Sequence, residues 1–227
     1  MQLLPGLYQV GGSLNGCTRL GGYGNYEDAN VYAVDTGQGL VLFDSGNGET
    51  LPQIDANLRR WNFCLKDVIA CLVTHAHMDH CGFLPALVRH GFDGPVWCTQ
   101  GTAQLAAIVL RDAGFLAERE AKDAAEGGWS KHHPPLPIYT AADVERTLPL
   151  LTTVHFDADA QLEGGLGLRF TRAGHILGSA SVTVTMPGGS LLFSGDLGRH
   201  DHPVLRPLDT PPGADWVVVE STYGNRL

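Results

Sequence analysis

The sequence predicts a layered α/β fold in which two sheets pack together with helices outside. Three observations lead there. Strand-like runs followed by helix-like runs occur twice along the 227 residues. Val68-Ile69-Ala70-Cys71-Leu72-Val73 is a nearly unbroken apolar run, the pattern of a strand buried on both faces. Four metal-type side chains, His75, His77, Asp79 and His80, then follow within six positions. They stand at the carboxyl end of that strand, where open α/β sheets hold their ligands.

Taken in order, residues 30–34 and 39–43 bracket Asp35-Thr36-Gly37-Gln38, a hairpin signal. The second of these strands runs into Asp44-Ser45-Gly46-Asn47-Gly48, an acidic, glycine-rich strand end. Residues 51–61 follow as a helix, then the strand 68–73, a helix over 84–90 and a strand near 95–98. Residues 102–121 are rich in Ala and Leu and read as a helix. Gly127-Gly128 and three prolines place a loop over 126–137. Thr140-Ala141-Ala142-Asp143 has the form of a capping signal for a helix to about residue 148. Strand-like patterns resume from residue 154: residues 166–171 lead to Ala173-Gly174-His175, and 181–185 alternate as a half-buried strand. Pro187-Gly188-Gly189 turns the chain into 190–193, which ends at Ser194-Gly195-Asp196; 216–219 is a last apolar strand ending at Glu220. With no repeat or interdomain linker, residues 1–227 read as one domain.

Composition narrows the class. Hydrophobic residues at 44% and charged residues at 17% exclude a disordered chain. No apolar run approaches the roughly 20 residues that cross a bilayer, and Met1-Gln2-Leu3-Leu4-Pro5-Gly6 lacks the basic and apolar regions of a signal peptide. Five cysteines (17, 64, 71, 81 and 98) without a Cys-x-x-Cys pair suit a reduced cytoplasmic protein with packed thiols, Cys81 included. The net charge of −9 counts against a basic nucleic-acid surface, although two divalent cations would offset four of those charges.

The four strand ends bearing acid or imidazole groups form one constellation. His75, His77 and His175 would make a three-imidazole site, Asp79 and His80 would serve a second metal, and Asp196 could bridge the two. Such metal pairs, roughly 3.5–4 Å apart, activate a bridging water for attack at phosphorus or a carbonyl. Gly-His or Ser-Gly-Asp alone is more often a turn; these residues gain weight by supplying what the first cluster lacks. Burying that cluster without a cation would cost several kcal/mol in unpaired polar atoms. Asp44 reads as orienting a ligating histidine or its loop, not as a ligand. His132, His133, His200 and His202 read as solvated, and His90 and His155 carry no functional signal.

His75-Ala76-His77-Met78-Asp79-His80, His175 and Asp196 resemble the metal-ligand motifs of the metallo-β-lactamase superfamily. The resemblance implies a four-layer αββα sandwich with the metals at one edge. That superfamily spans lactamases, glyoxalase II-type thioesterases, lactonases, oxygen-reducing di-iron proteins and nucleases, so fold does not set substrate. Histidine at position 77, where the di-iron proteins usually carry glutamate, favours zinc hydrolysis. Two zinc ions are the expected cofactors; manganese and iron also suit these donors.

Further motifs resemble the β-CASP ribonucleases: Ala173-Gly174-His175-Ile176-Leu177-Gly178-Ser179-Ala180, Ser194-Gly195-Asp196-Leu197-Gly198-Arg199 and Glu220-Ser221-Thr222-Tyr223-Gly224-Asn225-Arg226. Pro137-Ile138-Tyr139-Thr140 with Asp143-Val144-Glu145 is similar to a segment of their bacterial and archaeal members. This implies a cytoplasmic RNA phosphodiesterase using a metal-bridging hydroxide, with Asp79, Asp196 and Glu220 as catalytic acidic residues and RNA as partner. No membrane partner is expected; a homodimer is left open. In that family a β-CASP domain follows the Glu-Ser-Thr-Tyr-Gly segment and supplies a histidine taken as general acid or substrate-site residue, and a final histidine completes the second metal site. Both are expected after residue 227, outside this chain, along with the closing elements of the sandwich. Two other readings stand beside this one: a small-molecule ester, thioester or lactone hydrolase, which the acidity favours, and a non-catalytic scaffold subunit of an RNA-processing complex.

Overall fold

A computed structural model describes residues 1–12, 29–46, 51–130, 133–162 and 165–221. Asn47-Gly48, Cys17, His132 and residues 222–226 of the Glu220 motif lie outside the described residues.

The first sheet has seven strands whose spatial order follows the chain: β1 (Gln2–Leu4), β2 (Leu7–Gln9), β3 (Tyr32–Asp35), β4 (Leu40–Phe43), β5 (Val68–Leu72), β6 (Val96–Thr99) and β7 (Leu151–Val154). β1 to β4 pair antiparallel, and the expected hairpin closes with Thr36 N–H donating to the Gly39 carbonyl at 3.0 Å. From β4 onward pairing is parallel, which requires crossovers. Helices supply them: α1 (Leu51–Arg59) before β5, α2 (Met78–Cys81) and α3 (Leu84–Arg89) before β6, α4 (Gln100–Gly127) and α5 (Ala141–Thr147) before β7.

The second sheet has five strands in the order β12-β11-β10-β9-β8. They are β8 (Asp159–Gln161), β9 (Gly167–Arg172), β10 (Ala180–Met186), β11 (Gly189–Phe193) and β12 (Trp216–Val218), antiparallel except for the parallel β11–β12 pair. Alternation along β4 separates two cores. Leu40 and Leu42 face the helices, beside Ile54, Leu58, Leu84 and Leu110. Val41 and Phe43 face the second sheet, beside Phe170, Val182, Val184 and Phe193. Phe43 and Phe193 stack across the sheets with ring centroids 3.6 Å apart. β5 is buried on both faces, as its unbroken apolar run predicts, because it lies inside the first sheet with layers above and below. The described layers run helix, sheet, sheet; the fourth layer of the expected αββα sandwich is not among the described residues.

Local signals account for the helix ends. Thr140 and Asp143 form a reciprocal capping box on α5, and Thr99 Oγ1 accepts the Thr102 N–H at the start of α4. α4 ends where Gly128 takes φ +65°, the left-handed region that glycine enters without penalty. It runs six residues past the expected 121, because its exposed last turns carry Arg119–Asp123 and Lys122–Glu126 pairs instead of an apolar stripe. β1, β2, β7, β8 and α2 are the elements the sequence pattern does not reveal. Each has only three or four residues and lacks the continuous apolar run that marks equally short strands such as β4 and β12.

Candidate metal centre

The loops after β4, β5, β9 and β11 converge at one edge of the two sheets. Thr74 stitches the sheets there: its carbonyl accepts the Ala180 N–H that opens β10, at 2.9 Å. His75 directly follows, fully buried, and His77 stands at the N-cap position of α2, its carbonyl accepting the His80 and Cys81 N–H groups at 3.0 Å. The expected turn between β5 and α3 thus contains one helical turn, and α2 places Asp79 and His80 on it. Ser45 holds the end of that turn, donating to the His80 carbonyl from its N–H at 2.7 Å and its hydroxyl at 3.1 Å.

His175 sits on a loop whose amides at 175 and 176 both donate to Ser179 Oγ, at 2.9 and 3.2 Å. The N-terminus of α4 buttresses this loop: the Thr99 and Thr102 hydroxyls both donate to the Gly178 carbonyl, at 2.6 and 2.9 Å. Asp196 follows Gly195, whose φ of +56° and close approach to Thr74 Cβ leave no room for a side chain.

His75, His77, His175 and Asp196 come together so that one donor atom from each lies within 4.8 Å of all the others. His77 Nδ1 is 3.0 Å from His75 Nε2 and 3.2 Å from His175 Nε2. Asp196 Oδ2 is 3.8 Å from His75 Nε2 and 3.5 Å from His175 Nε2. Tetrahedral zinc with bonds of about 2.0–2.1 Å sets its donors roughly 3.3 Å apart, and these separations straddle that value. Three ring nitrogens meeting this closely cannot all be satisfied by hydrogen bonds among themselves. The donor set fits a cation.

The remaining predicted residues lie beside this group, with His80 and Asp79 on the Oδ1 side of Asp196. His80 Nε2 lies 3.5 Å from Asp79 Oδ2 and 3.5 Å from Asp196 Oδ1, so Asp196 presents one oxygen to each half. Asp44 touches none of the three-imidazole donors and instead holds His80, with Oδ2 2.8 Å from Nδ1. Its φ of +54°, a conformation aspartate tolerates better than most residues, aims the carboxylate there. Glu220 stands behind the site, its Oε1 accepting the Leu197 N–H at 2.6 Å.

Electrostatics differ between the halves. Burial, reinforced by His80, His77 and His175, pushes His75 far below the ordinary imidazole range, and burial with His175 lowers His77. Both therefore present neutral lone pairs. Burial also opposes charge on His80, but Asp44, Asp79 and Asp196 outweigh it and push its pKa up to about 9. Burial raises Asp196; His80 counteracts this, and Glu220 adds to it.

The structure does not bring every histidine here. His202 Nδ1 accepts the Val204 and Leu205 N–H groups and so caps its own turn; His133 and His200 are exposed. Cys71, Cys81 and Cys98 are free and buried, as expected of packed thiols. Sequence reading assigned no role to Thr74, Ser45, Ser179, Thr99 or Thr102. Hydroxyls that serve a site from behind leave no spacing signal.

The model of the metallo-beta-lactamase superfamily matches residues 24–223. The chain belongs to that superfamily. Ribonuclease TTHA0252 of Thermus thermophilus is 39% identical over 186 residues, covering 82% of this chain and 39% of that protein. Transcription termination factor FttA of Methanocaldococcus jannaschii is 31% identical over 199 residues, covering 84% and 29%. The chain thus spans less than half the length of these relatives. Among solved structures, a metallo-beta-lactamase of Cronobacter sakazakii with a HARLDQ motif superposes with a TM-score of 0.54 at 20% identity, over 90% of this chain and 61% of that one. A likeness at that identity establishes the superfamily's fold and leaves the substrate open. No described helix is long and apolar enough to cross a membrane.

Proposed function

We propose that this chain is the metal-binding portion of a zinc-dependent, β-CASP-type ribonuclease. His75, His77, His175 and Asp196 would hold one ion; Asp79, His80 and Asp196 would hold the second. The observation that carries the reading is the split carboxylate of Asp196, with Oδ2 toward the three imidazoles and Oδ1 3.5 Å from His80 Nε2. The gathering of Asp44, Asp79 and Asp196 around His80 supports a cation in the second half, since three carboxylates stand about one imidazole there. Divalent ions bound there supply a Lewis acid for a phosphoryl oxygen and lower the pKa of a coordinated water.

The chain's own residues have distinct tasks in this reading. His75 and His77 offer neutral lone pairs that no proton contests near neutral pH. Asp79, with its side chain 40% exposed, is the carboxylate open to an incoming substrate. Glu220 acts by position, holding the Leu197 amide and with it the loop that carries Asp196. RNA as substrate rests on relatives called a ribonuclease and a transcription termination factor, both more than twice this chain's length. The β-CASP domain placed after residue 227, and a cytoplasmic location, belong to the same proposal.

The test pairs zinc-loaded protein with single-stranded RNA and, in parallel, with a thioester and a lactone. RNA cleavage that disappears in His77→Ala supports the reading. Turnover of the small esters with RNA left intact overturns it in favour of a small-molecule hydrolase, the reading that a net charge of −9 favours. Extending the chain to the relatives' length should speed RNA cleavage; equal rates with and without the extension would remove the β-CASP domain from the proposal.

A further inference from the structure

Thr74 is almost completely buried, and its hydroxyl lies between the two halves of the centre. Oγ1 is 2.8 Å from Asp44 Oδ2, 3.0 Å from Asp44 Oδ1 and 3.1 Å from His75 Nδ1. The Thr74 N–H also donates to Asp44 Oδ1 at 2.8 Å, and His80 Nδ1 reaches Asp44 Oδ2 at 2.8 Å.

Counting protons sets the direction of this chain of bonds. A hydroxyl has one proton to give and lone pairs to receive with; a carboxylate oxygen only receives. The Thr74 proton must go to Asp44, because two oxygens at 2.8 Å without a proton between them repel. Oγ1 is then an acceptor toward His75, so the hydrogen on His75 sits on Nδ1. That leaves the His75 Nε2 lone pair facing His77, His175 and Asp196. A metal-bound imidazole ordinarily gives its second N–H straight to a carboxylate, a carbonyl or water. His80 follows that rule with Asp44; His75 reaches the same carboxylate only through a hydroxyl.

We propose that Thr74 is a positioning residue that relays Asp44 to His75, so that one carboxylate fixes the tautomers of both halves. His80 is held directly and His75 through the Thr74 hydroxyl. The claim rests on the metal reading above only where it concerns zinc; the tautomer of His75 belongs to the metal-free protein.

The experiment uses the full chain as wild type, Thr74→Ser and Thr74→Val, the valine matching threonine in shape without its hydroxyl. Long-range ¹H–¹⁵N NMR of the metal-free wild type should show His75 protonated at Nδ1 only; protonation at Nε2 overturns the proposal. Zinc affinity, read by chelator competition, should fall about 10- to 100-fold in Thr74→Val, the usual loss for an outer hydrogen-bond partner, and stay within a few-fold of wild type in Thr74→Ser. Cobalt absorption should show the loss confined to one of two bound ions in Thr74→Val and spread over both in Asp44→Asn. Equal zinc affinity in the valine and serine variants overturns the relay, as does a cobalt spectrum in which Thr74→Val weakens both ions alike. A wild type that binds no zinc defeats the metal reading instead, and the NMR result still decides the role of Thr74.

Discussion

A Cβ placed on Gly198 would stand 1.8 Å from the carbonyl oxygen of Gly174. The loop carrying Asp196 and the loop carrying His175 therefore touch backbone to backbone, and the Gly198 N–H donates to the Ala173 carbonyl at 2.9 Å. Neither side of this contact is a flexible side chain that could swing away. Gly198→Ala must push the two loops apart, and with them His175 and Asp196. The expected outcome is a fall in zinc affinity of at least tenfold, of the order that displaced ligand support costs, with global stability lowered by only about 1–3 kcal/mol, as for other overpacking changes. Chelator competition and urea unfolding measure the two. Wild-type affinity in the alanine variant would show that the contact does not set the ligand geometry.

Removing metal should be visible as lost stability. A ligand present at a thousand times its Kd stabilises the folded state by about 4 kcal/mol, and for a domain this size each kcal/mol moves Tm by roughly 2–4 °C. Chelation should therefore lower Tm on the order of 10 °C, and zinc should restore it. His77→Ala, which removes a donor from the middle of the three-imidazole set, should melt near the chelated wild type and respond little to chelator. Scanning calorimetry with and without chelator decides; identical melting of the wild type in both would argue against a resident metal.

Most of the layered fold was legible because long elements carry their own evidence. The apolar run 68–73 announced a doubly buried strand and became the interior strand β5. The Thr140/Asp143 spacing announced the capping box that starts α5. The site is legible where residue type and spacing coincide, as in His75 to His80; the sequence reads Asp44 as orienting a ligating histidine or its loop, and in the structure its carboxylate contacts His80. Short strands such as β1 and β8 are not legible, because Gln2-Leu3-Leu4 and Asp159-Ala160-Gln161 lack the continuous apolar run that marks β12. Nor were the Thr99 and Thr102 hydroxyls that brace the His175 loop, since their partner lies more than seventy positions away. That contact exists only once α4 has packed.

Stacking of Phe43 on Phe193 joins the two sheets just behind the centre, at the strand ends that lead into Asp44 and Asp196. Phe193 is 3% exposed, so truncating it leaves a cavity. Phe193→Ala should cost about 3–5 kcal/mol and Phe193→Leu distinctly less. Urea unfolding of the metal-free variants reads this directly. A loss below about 1 kcal/mol in the alanine variant would mean that the sheets close over the gap, and that this pair does not set their spacing.

Asp143 offers a test of pH dependence away from the metal. Burial opposes its charge, but the Thr140 N–H and hydroxyl, each donating at 2.8 Å, together with the Arg146 guanidinium, outweigh burial and hold its pKa below the usual carboxylate value. A folded-state pKa depressed below the unfolded value near 3.9 means that the charged form favours the folded state. The contribution is thus complete above about pH 4–5 and is lost as pH falls through the folded value. Asp143→Ala in metal-free protein should be less stable than wild type by about 1 kcal/mol or somewhat more at pH 7, the usual worth of such a cap. The gap should hold steady between pH 6 and 8 and narrow below pH 4. Chemical denaturation across that range checks it; a gap that widened on acidification would mean that the protonated carboxyl, and not the carboxylate, is what the cap requires.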